Sequence, residues 1–217
     1  MKKVVFIAIL LMGNVMFSCG NNQTSANKKD NDVKSEKNTK VPDGWAEGKG
    51  EEFVPKTKPE QNLVAQHDTY QRALFLGNIE EMKHFFYKES LEYYKQYFPG
   101  RSLDDILDEF LKDMSGDAMR AIREYEDNGV EFAIYIQDIV RRVEYGNDLL
   151  YVYNVACRLE GYKDDTLLYL HTKNPDLTLG VSHNKGKNCT FIAMTNEVPS
   201  ILRMYYPQSV INEVMGY

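Results

Sequence analysis

An apolar run long enough to cross a membrane is absent from this 217-residue chain. Residues 4–12 are nine positions without a charged or strongly polar side chain, after which Gly13 and Asn14 interrupt them; a bilayer span takes ~20 apolar residues. Cysteine is scarce as well. Cys19, Cys157 and Cys189 are the only three, and they lack the paired spacing of a zinc site. There is no Gly-x-Ser-x-Gly nucleophile elbow, no phosphate-binding glycine loop and no His-Glu-x-x-His helix. Those absences remove the hydrolases, nucleotide binders and zinc proteases that such motifs define. No cofactor and no metal is implied. Positive charge is short too, 26 Lys and Arg against 32 Asp and Glu, which argues against a nucleic-acid partner.

What is present begins at the N-terminus. Lys2 and Lys3 form a positive head before the short apolar stretch, the layout of a cleavable export signal rather than a spanning helix. The four residues Met16-Phe17-Ser18-Cys19 resemble the lipobox of bacterial lipoproteins. That resemblance implies a signal peptide over residues 1–18, diacylglycerol on the Cys19 thiol, and a protein exported and lipid-anchored in the bacterial cell envelope. An ordinary secretory signal with a cysteine beside it is the alternative. Two or three acyl chains on Cys19 would hold the lipid bilayer stably, where one chain binds only marginally.

Residues 19–58 are rich in Asn, Lys, Asp, Ser, Thr, Glu and Gly and nearly free of aliphatic side chains. Such a segment cannot bury enough surface to offset its ordering entropy, so it reads as a flexible tether. Trp45, the single tryptophan, and Phe53 stand out in it. They fit either a strap docked on the following domain or a partner-binding motif, and the cost of an exposed indole favours the strap. Loss of Lys2 and Lys3 with the signal leaves 24 basic against 32 acidic residues, a net charge of −8. Residues 59–217 are of a size for a single globular domain with one core.

The first half of that domain has helical periodicity. Pro59 opens a stripe of Leu63, Tyr70, Ala73 and Leu74 with His67 on the same face, ended at Gly77. Asn78 with Glu81, and Ser102 with Asp105, mark two further helix starts, and Ser115-Gly116 reads as a break before a short helix over 118–125. After Asp127-Asn128-Gly129 the period changes to two. Val130, Phe132, Ile134 and Ile136 point one way, then the apolar set shifts register at Ile139, which predicts a bulge near Gln137 or Asp138. Further strands are expected from Leu149, over 166–172, 177–182 and 188–195, joined by short turns as a meander of hairpins. Short C-terminal helices should follow, separated at Pro207. In this meander Cys157 and Cys189 lie too far apart to bridge and are expected as buried free thiols.

The order predicts an α+β domain, with N-terminal helices packed on one face of a bent antiparallel sheet of four to five strands. On that element order and the bulge at residues 137–139, the domain resembles the nuclear transport factor 2-like cone fold, also called cystatin-like, which includes ketosteroid isomerase and the SnoaL-like cyclases. The resemblance implies a pocket between helices and sheet, with a carboxylate or histidine for acid–base chemistry. Asp138 is the candidate base there, with Tyr135, Tyr151 and Tyr153 as candidate binding residues along the wall. The competing reading of Asp138 is a surface carboxylate paired with Arg141 or Arg142. Pairing Thr172 with Leu177 would set His171 against Thr178 and His183 against Thr166, so these two imidazoles do not meet, while His67 and His84 fall on different helices. Fifteen tyrosines suit either a wet-edged core or a recognition surface. Three functions follow as expectations: a non-catalytic binding or assembly module for a small apolar ligand, a glycan or an envelope protein; a pocket enzyme; and a structural accessory subunit, dimerising through an exposed sheet face.

Overall fold

The computed structural model describes residues 41, 44–127, 129–163, 166–173 and 176–217. The expected signal segment over residues 1–18, Cys19 and the first part of the expected tether lie outside the described residues. The fold is α+β. Strand β1 (Trp45–Glu47) precedes four helices, α1 (Lys58–Leu76), α2 (Ile79–Phe85), α3 (Glu89–Lys95) and α4 (Leu103–Glu126). Strands β2 (Val130–Tyr145), β3 (Asp148–Lys163), β4 (Thr166–Thr172), β5 (Asp176–His183) and β6 (Asn188–Ala193) follow, then α5 (Val198–Leu202) and α6 (Gln208–Met215).

Helix starts follow local chemistry. Thr57 and Glu60 form a reciprocal capping box at α1, with the Glu60 amide donating to Thr57 Oγ1 at 3.4 Å and the Thr57 amide to Glu60 Oε2 at 2.9 Å. The Glu81 amide donates to Asn78 Oδ1 at 3.3 Å, and the Asp105 amide to Ser102 Oγ at 3.1 Å. The break expected at Ser115-Gly116 does not occur, and α4 runs through it. A single helical glycine costs only about 1 kcal/mol. Here the buried Ser115 hydroxyl donates to the Leu74 carbonyl at 3.2 Å, which fastens α4 to α1 at that turn.

The sheet is antiparallel throughout its ladders and centres on β3. β2 pairs along one edge of β3, with Val130 opposite Gly161 and Tyr145 opposite Asp148. Two bulges interrupt this ladder, at Gln137 as expected and again at Val140. Along the other edge, β4 covers the second half of β3 (Arg158 opposite His171) and β5 the first half (Val155 opposite Asp176). β4 and β5 therefore run end to end in one direction and form no hairpin with each other. The expected meander is corrected accordingly: His171 pairs with Arg158, and His183 with Asn188. β5 takes its partners from Leu149 to Val155 of β3, the half that β4 leaves open, so each strand is satisfied by β3 rather than by the other. Cys157 and Cys189 are buried and do not bridge each other, as expected.

Helices cover both faces of the sheet, not one as the element order suggested. Successive residues of β3 are buried on alternate sides. Tyr151, Tyr153 and Val155 pack with Leu63 of α1 and with Phe191, while Leu150 and Val152 pack with Leu179, Val181, Ile201, Ile211 and Val214 beneath α5 and α6. The missed signal is the continuous apolar run Leu149–Leu150–Tyr151–Val152–Tyr153, the pattern of a strand buried on both faces.

The strap expected at Trp45 and Phe53 is a belt around the sheet. Trp45 is 1 % exposed and lies opposite Thr172 on the outer edge of β4, within a cluster of Cys157, Leu159 and Leu170. The belt then crosses the face bearing His171, Arg158 and Tyr135. His171 Nδ1 meets the Gly48 carbonyl at 3.2 Å, Tyr135 donates to the Lys49 carbonyl at 3.4 Å, and Arg158 pairs with Glu52 at 3.6 Å. At the far edge the Phe53 amide donates to the Ile136 carbonyl at 2.9 Å, beside the bulge, and Phe53 packs on the α1 side with Ile134, Ile136 and Ile139. Gly50 is required at the crossing: its φ is +72°, and a Cβ there would collide with the Tyr135 hydroxyl and lie 3.1 Å from His171 Cγ.

Candidate functional site

Asp138 lies opposite Asn154 on β3 and is exposed. The bulge residue is Gln137, so the bulge does not aim Asp138 into the interior, and no apolar wall surrounds the carboxylate. Arg141 and Arg142 are engaged elsewhere: Arg141 Nε donates to the Val214 carbonyl at 2.9 Å, and Arg142 pairs with Glu144 at 2.6 Å. The three candidate tyrosines do not share a wall. Tyr135 is opposite Ala156 and faces the belt, on the side of the sheet away from Tyr151 and Tyr153. The alternation around Ile134 and Ile136 already placed Tyr135 on that opposite side. Cys19 lies outside the described residues.

Tyr151 and Tyr153 are each 0 % exposed and fill the space between α1 and the sheet, where the resemblance implied a pocket. Leu63 and His67, one helical turn apart on α1, face them. The close approach depends on Gly180 in β5, where a Cβ would stand 3.0 Å from Leu63 and 3.1 Å from the Tyr153 ring. Three hydrogen bonds close one end of the seam by tying α1 to the β5–β6 turn: Asn62 to the Gly186 carbonyl at 2.9 Å, Gln66 to the Lys187 carbonyl at 3.1 Å, and the Cys189 amide to Gln66 Oε1 at 2.8 Å.

His67 is 1 % exposed, its ring meeting those of Tyr153 and Phe191 edge-on at 5.6 Å each. Burial pushes its pKa from 6.5 down to about 4, so the imidazole is neutral near pH 7. The Gln71 amide lies 3.3 Å from His67 Nε2. With that amide nitrogen donating, Nδ1 carries the proton, and the nearest carboxylate oxygen, on Asp68, is 4.0 Å away and too far for a hydrogen bond. His67 Nδ1, Gln71 Oε1 and the hydroxyls of Tyr151 and Tyr153 are thus buried without a protein partner. A bare buried polar group costs about 1–3 kcal/mol, so four of them together approach the ~5–15 kcal/mol of a whole domain's stability.

Two further polar groupings escaped sequence reasoning. At the start of β3, Asp148 accepts from His183 Nδ1 at 3.0 Å and from the Tyr206 hydroxyl at 2.9 Å, joining β3, β5 and the loop before α6. Only the β3–β5 register brings these together, and no local signal reports it. On the outside, a groove of about 410 Å³ opens between α3 and α4, with Leu91, Leu103 and Leu107 at its floor and Lys88, Glu92 and Tyr205 on its rim. Tyr205 on that rim is about half exposed, as are Tyr97 and Met204 elsewhere on the surface. Among the described residues, no three His, Cys, Asp or Glu side chains converge as metal ligands, and no helix is long and apolar enough to cross a membrane.

Comparison of the chain with protein-family models, with curated proteins and with solved structures finds no match.

Proposed function

We propose that this chain is an exported, lipid-tethered binding or assembly module of the bacterial cell envelope, without catalysis of its own. In this reading Cys19 carries the acyl chains, the segment after it is the tether, and the body is a cone-type domain of the nuclear transport factor 2-like kind whose interior is filled. The observation that carries the non-catalytic part is the closure of the α1–sheet space by Tyr151 and Tyr153, with Asp138 in solvent. A recognition role then falls to the outer surface, where the groove beside Tyr205 and the exposed Tyr97 and Met204 offer apolar contact with polar rims. Because both faces of β3 are buried, a homodimer would form through some other surface than an open sheet face. Metabolic labelling with a palmitate analogue in a bacterial host tests the tether. The parent chain should take up label and fractionate with membranes, and Cys19→Ser should lose both; label that persists in Cys19→Ser would overturn the assignment.

A further inference from the structure

The seam beneath α1 is the most heavily unsatisfied part of the described interior. It holds a donor (His67 Nδ1–H), an acceptor (Gln71 Oε1) and two hydroxyls that can act either way (Tyr151 and Tyr153). Gln71 stands one turn from His67 on α1, the His67 ring meets that of Tyr153, and Tyr151 lies two residues from Tyr153 on the same side of β3, about 6.6 Å along the strand, in the layer packed against α1. We propose that this seam is a hydration site, holding ordered water hydrogen-bonded to the Tyr151 and Tyr153 hydroxyls and to His67.

The chemistry of the lining selects a small neutral ligand. Leu63, Leu149, Val155 and Phe191 supply apolar walls, which would penalise an ion. Charge beside the seam is already matched: the Arg142 guanidinium stands 5.9 Å from the centre of the Tyr151 ring and pairs with Glu144 at 2.6 Å. From the sheet come the Cys189 thiol and the two tyrosines, and from α1 the Tyr70 phenol, all held protonated by burial; Asp68 of α1 is largely exposed and 4.0 Å from the imidazole. Water both donates and accepts, and a buried water needs two to four polar partners, which these side chains supply.

The hydroxyls give the test a sign. If they were bare, Tyr151→Phe and Tyr153→Phe would relieve a desolvation penalty and raise the Tm of the full chain. If they hold water, each phenylalanine removes a hydrogen bond and strands its water, and Tm falls by a few degrees. Both replacements keep the ring and so the packing. Water-to-protein nuclear Overhauser contacts at the Gly180 and Cys189 amides supply the second readout. The expected result is a lowered Tm in both variants together with long-lived water contacts in the parent. A raised or unchanged Tm without such contacts overturns the proposal, as does an organic molecule found by mass spectrometry to be retained in the seam through purification.

Discussion

The two sides of β3 differ in kind although they come from alternate residues of one strand. Leu150 and Val152 face an aliphatic layer built with α5 and α6, while Tyr151 and Tyr153 face α1 and its histidine. The aliphatic side can be understood from area and volume alone. The α1 side combines the same degree of burial with polar atoms that have no protein partner. One strand thus builds a plain core on one side and a polar seam on the other, and the seam occupies the place where the resemblance implies a pocket.

Substitutions can sharpen that contrast. The largest expected effect is on the aliphatic side: Leu150→Ala leaves a cavity in a fully closed layer and should cost about 3 kcal/mol, measured by urea unfolding at neutral pH. Next comes the belt that holds the sheet from the α5–α6 side. Gly50→Ala forces a side chain into a left-handed position and against Tyr135, with an expected loss of about 2 kcal/mol. Proteolysis should cut the variant first within residues 44–57, and early cleavage elsewhere would show that the belt does not depend on Gly50. Thr57→Ala removes the cap of α1 and should cost about 1 kcal/mol. Smallest of all, Asp138→Asn should leave stability within about 0.5 kcal/mol of the parent, as for any exposed position.

Local features of this fold were legible in the sequence, and long-range ones were not. Asn78 with Glu81, Ser102 with Asp105, and the register shift at Gln137 each involve residues within a few positions, so the chemistry that makes them is written side by side. The end-to-end arrangement of β4 and β5 depends on which strand each finds as partner. A stretch containing Lys173, Asn174 and Pro175 looks like a hairpin turn whether or not the chain reverses. The second buried face of β3 is written in the run from Leu149 to Tyr153, which is apolar at every position where a half-exposed strand would alternate. For the candidate site, the sequence placed Tyr151 and Tyr153 on one face and His67 on the apolar side of its helix. It did not bring those two groups together, because the contact of α1 with β5 turns on Gly180, a residue with no periodic signature. Tyr135 and Asp138 were drawn toward an interior pocket by the resemblance, whereas Tyr135 faces the belt and Asp138 faces solvent.

The difference between the two sides of β3 is tested most directly by stability as a function of pH, in the parent and in His67→Leu. Folding holds the pKa of His67 near 4 against 6.5 in the unfolded chain. Below pH 6.5 the unfolded state therefore binds a proton that the folded state refuses, so the parent should lose stability from pH 6.5 down to about 4 and no further from this group. The shift corresponds to about 3 kcal/mol. Acidic groups outside the seam titrate in both proteins and cancel in the comparison. The parent should fall more steeply than His67→Leu across this window, by about that amount; parallel curves would show instead that His67 is not held neutral in a closed seam.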